Sequence, residues 1–166
     1  IQLTLTISIL QYVYIDITLC IVNRIMCKYE PIPFEQSKYI MISSSFFLVP
    51  ASIFYYNRHY IYGHGLFVTS LVSMNYWYNV QYNSWRRYGD LLWSKIAFCM
   101  YFTLGIQSIP IKEQPIYIMV TIALIANYYV SNSLSIQHVK QYEWVWCHMI
   151  FHLLMTVNLY GIAQHV

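Results

Sequence analysis

His148 and His152 stand four residues apart in the last long apolar segment of the chain, Trp144 to Gly161. On an α-helix that spacing stacks both imidazoles on one face. Two ring nitrogens one turn apart are suited to hold a metal ion; within a membrane they otherwise need hydrogen-bonding partners on neighbouring helices. Ser73 and Asp90 are further polar side chains in or beside apolar segments, and Asp90 follows Arg86 and Arg87 closely. An aspartate at a helix N-terminus is stabilised by the helix dipole and by flanking arginines, so a capping role for Asp90 stands beside a chemical one.

The elements that must position these groups are apolar helices. Of the 166 residues, 58% are hydrophobic, 19% aromatic and only 9% charged, where a soluble domain carries about a quarter charged residues. Nine Lys/Arg and six Asp/Glu cannot coat a soluble fold, and they cluster between apolar runs. The expected fold is an all-α transmembrane helical bundle in one domain, 1–166. Its six spans fall at about 1–22, 39–57, 61–80, 91–109, 115–136 and 143–163, each near the ~20 residues that cross a hydrocarbon core. Thr4, Thr6 and Ser8 alternate as in a strand, but the length of the first segment favours a helix. Pro31, Pro33, Asn57 to Tyr60, Asn83 to Gly89 and Pro110 to Pro115 supply the turns, and Pro50 should kink the second span. The sequence opens on Ile1 rather than Met, which reads as a processed product or a fragment.

The net charge of +3 is a topology signal. Arg24, Lys28, Lys38, Arg86, Arg87, Lys95 and Lys140 lie on the side of the odd-numbered loops, against only Arg58 and Lys112 on the other. The positive-inside bias then puts both termini outside and loops one, three and five in the cytosol or an organelle matrix. No basic stripe interleaved with aromatics runs along any face, which excludes nucleic-acid binding. Cys20, Cys27, Cys99 and Cys147 have no paired spacing and read as buried reduced thiols. Asp16 is expected in a structural ion pair, and Asn127 and Asn158 in hydrogen bonds between helices. Ser131 and Ser135 form a small-residue packing face. Tyr55, Tyr56, Trp85 and Trp144 are expected as interfacial anchors.

With this topology Ser73, Trp77, Asp90, His148 and His152 should meet in one layer near the positively flanked face. The segments Ser73-Met-Asn-Tyr-Trp77, Asn83-Ser-Trp-Arg-Arg-Tyr-Gly-Asp90-Leu-Leu-Trp93 and Trp144-Val-Trp-Cys-His148-Met-Ile-Phe-His152 resemble the S-xxx-H, D and H-xxx-H elements of the alkaline ceramidase and adiponectin-receptor-type superfamily of membrane hydrolases. The resemblance covers the second half of the chain. It implies a zinc held by three histidines, whose water attacks an amide, with Ser73 and Asp90 close by and His148 and His152 as the paired ligands. The first histidine of the family pattern is Trp77 here. His138, in loop five, or Asp90 are the available replacements, and a two-His, one-carboxylate set would suit zinc or iron. His64 starts the third span on the opposite side and cannot reach. The family usually has seven spans, against the six expected here.

Two functions follow as expectations. The first is a non-catalytic accessory subunit of a larger membrane complex, a pseudoenzyme that binds no cofactor and contacts membrane lipids and other subunits through its aromatic surface. The second is a zinc-dependent hydrolase of lipid amide or ester bonds, using Asp90 and Ser73 with metal on His148 and His152. Proton relay through His and Asp is a third. Abundant Ile, Tyr, Phe and Asn at the expense of Gly and Ala fit an AT-rich gene. This favours an organelle inner membrane, that of the mitochondrion, over an endomembrane.

Overall fold

The computed structural model describes residues 32–81, 84–137 and 142–166. The expected first span, Asp16, Cys20, Cys27 and His138 lie outside the described residues. Within them the chain is helical, with no strand. The helices are α1 (Phe34–Ser44), α2 (Leu48–Tyr56), α3 (Tyr60–Tyr78), α4 (Trp85–Ser108), α5 (Gln114–Gln137) and α6 (Glu143–Gln164), with a 3₁₀ turn, Ser45–Phe47, between α1 and α2.

Local chemistry sets the boundaries. Pro33 ends the extended entry and its carbonyl accepts from the backbone N–H groups of Gln36 and Ser37, which opens α1. Pro50 has no N–H to give to the carbonyl four residues back, and its ring crowds that turn. The expected kink is therefore a tightening to 3₁₀ geometry over Ser45–Phe47, one turn before Pro50. The turn after α2 closes with Arg58 N–H on Tyr55 O and His59 N–H on Phe54 O, while Arg58 takes a left-handed φ of 65°. This is the hydrogen-bond pattern of a Schellman cap, with arginine where glycine is usual.

α4 begins at Trp85, earlier than the expected 91, because the Ser84 hydroxyl accepts from Arg87 N–H as an N-cap. Asp90 thus lies in the second turn and is not the cap. The Arg86 guanidinium sits 5.9 Å from the Trp85 ring.

Three helices are long and apolar enough to cross a membrane: Phe34–Tyr56, Gln114–Ser135 and Glu143–Gln164. The six expected spans are thus reduced, among the described residues, to three that meet both requirements. α3 and α4, at 19 and 24 residues, have the length. Tyrosines, His64, Asn75 and Trp77 lower the hydropathy of α3, and Arg86, Arg87, Asp90 and Lys95 lower that of α4.

α1 and α2 pack between α3 on one side and α6 on the other; α4 lies against α3, and α5 against α6. Pairing of Ser43 with His152 and of Asn57 with Ala163 shows that α1–α2 and α6 run parallel. Two apolar clusters form. One gathers Ile40, Tyr76, Trp77, Val80, Trp144 and Val145 where α1 and α6 begin and α3 ends. The other gathers Phe54, Leu66, Tyr101, Leu104, Tyr117 and Leu159 towards the opposite end. Between them lies a buried polar belt of Ser43, Ser44, Ser70, Ser73 and His152.

Candidate functional site

His152 is the tenth residue of α6, about 14 Å along the helix axis from its start. It therefore lies deeper than the first turns expected for the pair. Its Nδ1 is 2.8 Å from the Ser43 hydroxyl, which in turn donates to Ile40 O at 2.9 Å. A hydroxyl has one proton to donate. With that proton on Ile40 O, the imidazole N–H at Nδ1 must donate to Ser43, which leaves Nε2 as an acceptor. His148 repeats the pattern on the other side of α6. Its Nδ1 is 3.2 Å from the Ser131 hydroxyl of α5, which donates to Trp144 O at 3.4 Å. The two imidazole centroids are 4.9 Å apart with planes at 70°.

The pair thus ties α6 to α1 on one flank and to α5 on the other. Asn127 adds a second tie to α5 through Cys147 O at 3.1 Å, the interhelical amide bond expected of it. Ser131 hydrogen-bonds as well as packing, while Ser135 bonds within its own helix to Asn132 O. Ser44 extends the belt: it donates to Ile40 O and meets the Ser73 hydroxyl of α3 at 3.0 Å. A chain of hydroxyls and imidazoles therefore crosses four helices at nearly one depth. It links the helices sideways, as a set of clamps.

Of the five residues expected in one layer, Ser73, Trp77, His148 and His152 come together. Trp77 presents its ring edge-to-face to His148 at 5.0 Å and lies 6.0 Å from Trp144. Phe47 covers His152 at 5.2 Å. No group of three His, Cys, Asp or Glu side chains suited to a metal ion occurs among the described residues, so Asp90 forms no such group with the two histidines there. The histidine nitrogens suit a metal, each Nδ1–H being held by a hydroxyl as ligating imidazoles usually are. Among the described residues the set has two ligands, where a catalytic zinc has three from the protein. His64 lies at the opposite end, its Nδ1 on Tyr60 O at 2.7 Å and its ring against Tyr55.

Two features escape the sequence reading. Ser43 and Ser44, partners of His152 and Ser73, sit in a Ser43-Ser44-Ser45 run inside an apolar segment, and that run was the available signal. Trp144 is 1% exposed, a core residue rather than an interfacial anchor, because α1 and α3 cover it. Its indole N–H and Gln36 Oε1 are buried with no hydrogen-bond partner among the described residues. Tyr56 and Trp85 are exposed, as anchors should be, whereas Tyr55 is half-buried against Gly63. Cys99 and Cys147 are free thiols.

Comparison of the chain with family models, with curated proteins and with solved structures yields no match.

Proposed function

We propose that this chain is a non-catalytic integral-membrane subunit of a larger membrane complex, built on a six-span bundle that resembles the alkaline ceramidase and adiponectin-receptor-type hydrolases. Both termini lie on the outer side, and an organelle inner membrane, that of the mitochondrion, is favoured over an endomembrane. One observation carries the reading. His148 and His152 are used as interhelical clamps, and the place of a third ligand is taken by Trp77, packed edge-on against His148. A buried indole cannot ligate a metal, and its bulk keeps another side chain from approaching that edge. Large exposed apolar side chains on α5 and α6, among them Met119, Ile122, Trp146 and Val157, are available to lipids and to other subunits.

The second reading, a zinc-dependent hydrolase of lipid amides or esters, is favoured by the tautomers. Both Nδ1 protons point at hydroxyls, so both Nε2 lone pairs are left for a ligand. It requires a third ligand from His138 or Asp90.

Metal analysis of the protein purified gently from its native membrane separates the two. The subunit reading expects a large assembly and no stoichiometric metal. A solitary protein carrying one zinc per chain, lost in the His148→Ala, His152→Ala double variant, would reverse the choice.

A further inference from the structure

Two amides lie well inside apolar spans, Asn127 in α5 and Asn158 in α6, and the bundle treats them differently. Asn127 donates to Cys147 O at 3.1 Å and ties α5 to α6. The Asn158 side chain makes no hydrogen bond among the described residues. It is the sixteenth of the 22 residues of α6, about 9 Å of helix rise from the end at Gln164. At that depth in a hydrocarbon core no water takes the place of a missing partner. An amide with two donor hydrogens and an acceptor oxygen is therefore left to be satisfied from outside the described bundle.

The surroundings of Asn158 are open. Its side chain is partly exposed, and so is that of Leu154, one turn before it. Gly161, one turn after it and on the same side of α6, meets nothing within 4 Å where a Cβ would stand. Ile150 and Val157 are 49% and 60% exposed. Ile150, Leu154, Val157 and Gly161 follow one another at spacings of four, three and four. That spacing seats a second helix crossing at about 20°, the common packing of membrane bundles, and a glycine in such a seam lets two backbones approach closely.

Whatever covers this face has to bring a hydrogen-bonding group to the depth of residue 158. A second copy of the chain does so by symmetry. Two copies inserted in the same orientation are related by a two-fold axis along the membrane normal, which puts the same residue of each at the same depth. An amide is its own complement, since each can donate to the oxygen of the other. A lipid acyl chain has no polar group at this level and would leave the amide unpaired.

We propose that α6 is a self-association face, on which two copies of this chain pack α6 against α6 with their Asn158 amides hydrogen-bonded to each other and their backbones close at Gly161. The proposal rests on α6 crossing the membrane and holds whether the chain is an accessory subunit or a hydrolase.

The test uses the full chain fused to a donor or an acceptor fluorescent protein and reconstituted in phosphatidylcholine vesicles. Energy transfer is followed as lipid dilutes the protein. Transfer should exceed the random-proximity level, follow a dimer isotherm and be suppressed by unlabelled chain. Asn158→Leu should raise the dissociation constant about five- to tenfold, the effect of a reciprocal pair of interhelical hydrogen bonds, and Asn158→Gln, which keeps the amide, should recover most of it. Gly161→Leu places its side chain in open space in the single chain, so circular dichroism should be unchanged while transfer is lost. Gly89→Leu, equally open but on α4, should leave transfer as it is. The proposal is overturned if transfer stays at the random level at every dilution, if either Asn158→Leu or Gly161→Leu leaves the isotherm unchanged, or if Gly89→Leu weakens transfer as much as Gly161→Leu.

Discussion

The two ends of this bundle are held by different means. At the end where α1 and α6 begin, the helices meet across hydroxyls and imidazoles, and the Trp77–Trp144 cluster packs beside them. At the other end tyrosines lie directly on glycines. The Tyr117 ring rests on Gly105 so closely that a Cβ there would overlap it, and its one hydroxyl proton is shared between Tyr101 O and Phe102 O. Tyr101 lies on Gly65 and donates to Tyr62 O at 2.5 Å. Inside a bilayer no hydrophobic effect drives helix on helix, so association rests on close packing and on polar contacts. This chain uses both: tyrosine–glycine packing at one end, and towards the other the polar belt that lies between the two apolar clusters.

The difference predicts unequal sensitivity. A packed glycine fails sterically, and the tyrosine ring on it must move to admit even a methyl group. Gly105→Val should destabilise the bundle by about 3 kcal/mol, the upper part of the range for overpacked cores. Unfolding in a denaturing detergent, followed by circular dichroism, measures it. A loss below about 1 kcal/mol would show that the α4–α5 hairpin opens freely and that the tyrosine–glycine contact is not what closes it.

The polar belt should yield less per bond, because a serine or histidine released in the membrane finds other partners. A double-mutant cycle with Ser43→Ala and His152→Leu isolates the pair from the packing of Phe47 on the ring. A coupling of about 1 kcal/mol is expected from interhelical hydrogen bonds in bilayers. Zero coupling would mean that His152 is held by Phe47 and its own helix. The reading of the pair as a clamp would then fall.

How far these two ends were legible in the sequence follows from the kind of signal each left. Length and apolarity placed the described helices to within two residues of their ends, except at the start of α1, five residues earlier than expected, and of α4, where the Ser84 cap outweighed the apparent loop chemistry of Asn83 to Gly89. Histidine spacing marked the seam, and the likeness to a hydrolase directed attention to Ser73. It could not show that the partners would be Ser43 and Ser131, since serines in apolar segments also bond to their own helix, as Ser52 and Ser135 do. Loop sidedness and the resemblance to the hydrolase motif both put Asp90 in the histidine layer, and sidedness fixes a membrane face but not a lateral position. The tyrosine–glycine end left almost no trace. Nothing local distinguishes Gly65 and Gly105, pressed by tyrosines, from Gly89 and Gly161, which have open space where a Cβ would be. Close approach is a property of the neighbour, and the neighbour lies elsewhere in the chain.

Among the described residues, the packed end alone carries a non-glycine residue in the left-handed region. Arg58 holds a left-handed φ of 65° in the Schellman turn that joins α2 to α3. A side chain in that region costs roughly 1 kcal/mol relative to glycine, which has no Cβ to collide with the following carbonyl. Arg58→Gly should therefore stabilise the bundle by about 0.5 to 1 kcal/mol, the gain being reduced by the greater freedom of glycine in the unfolded chain. Asn57, beside it, donates to Ala163 O of α6 at 2.9 Å, so a relaxed turn should tighten that junction as well. The same detergent titration reads the shift. If Arg58→Gly destabilises instead, the arginine side chain is holding something that outweighs its backbone strain, and the packed end is anchored at its surface as well as in its core.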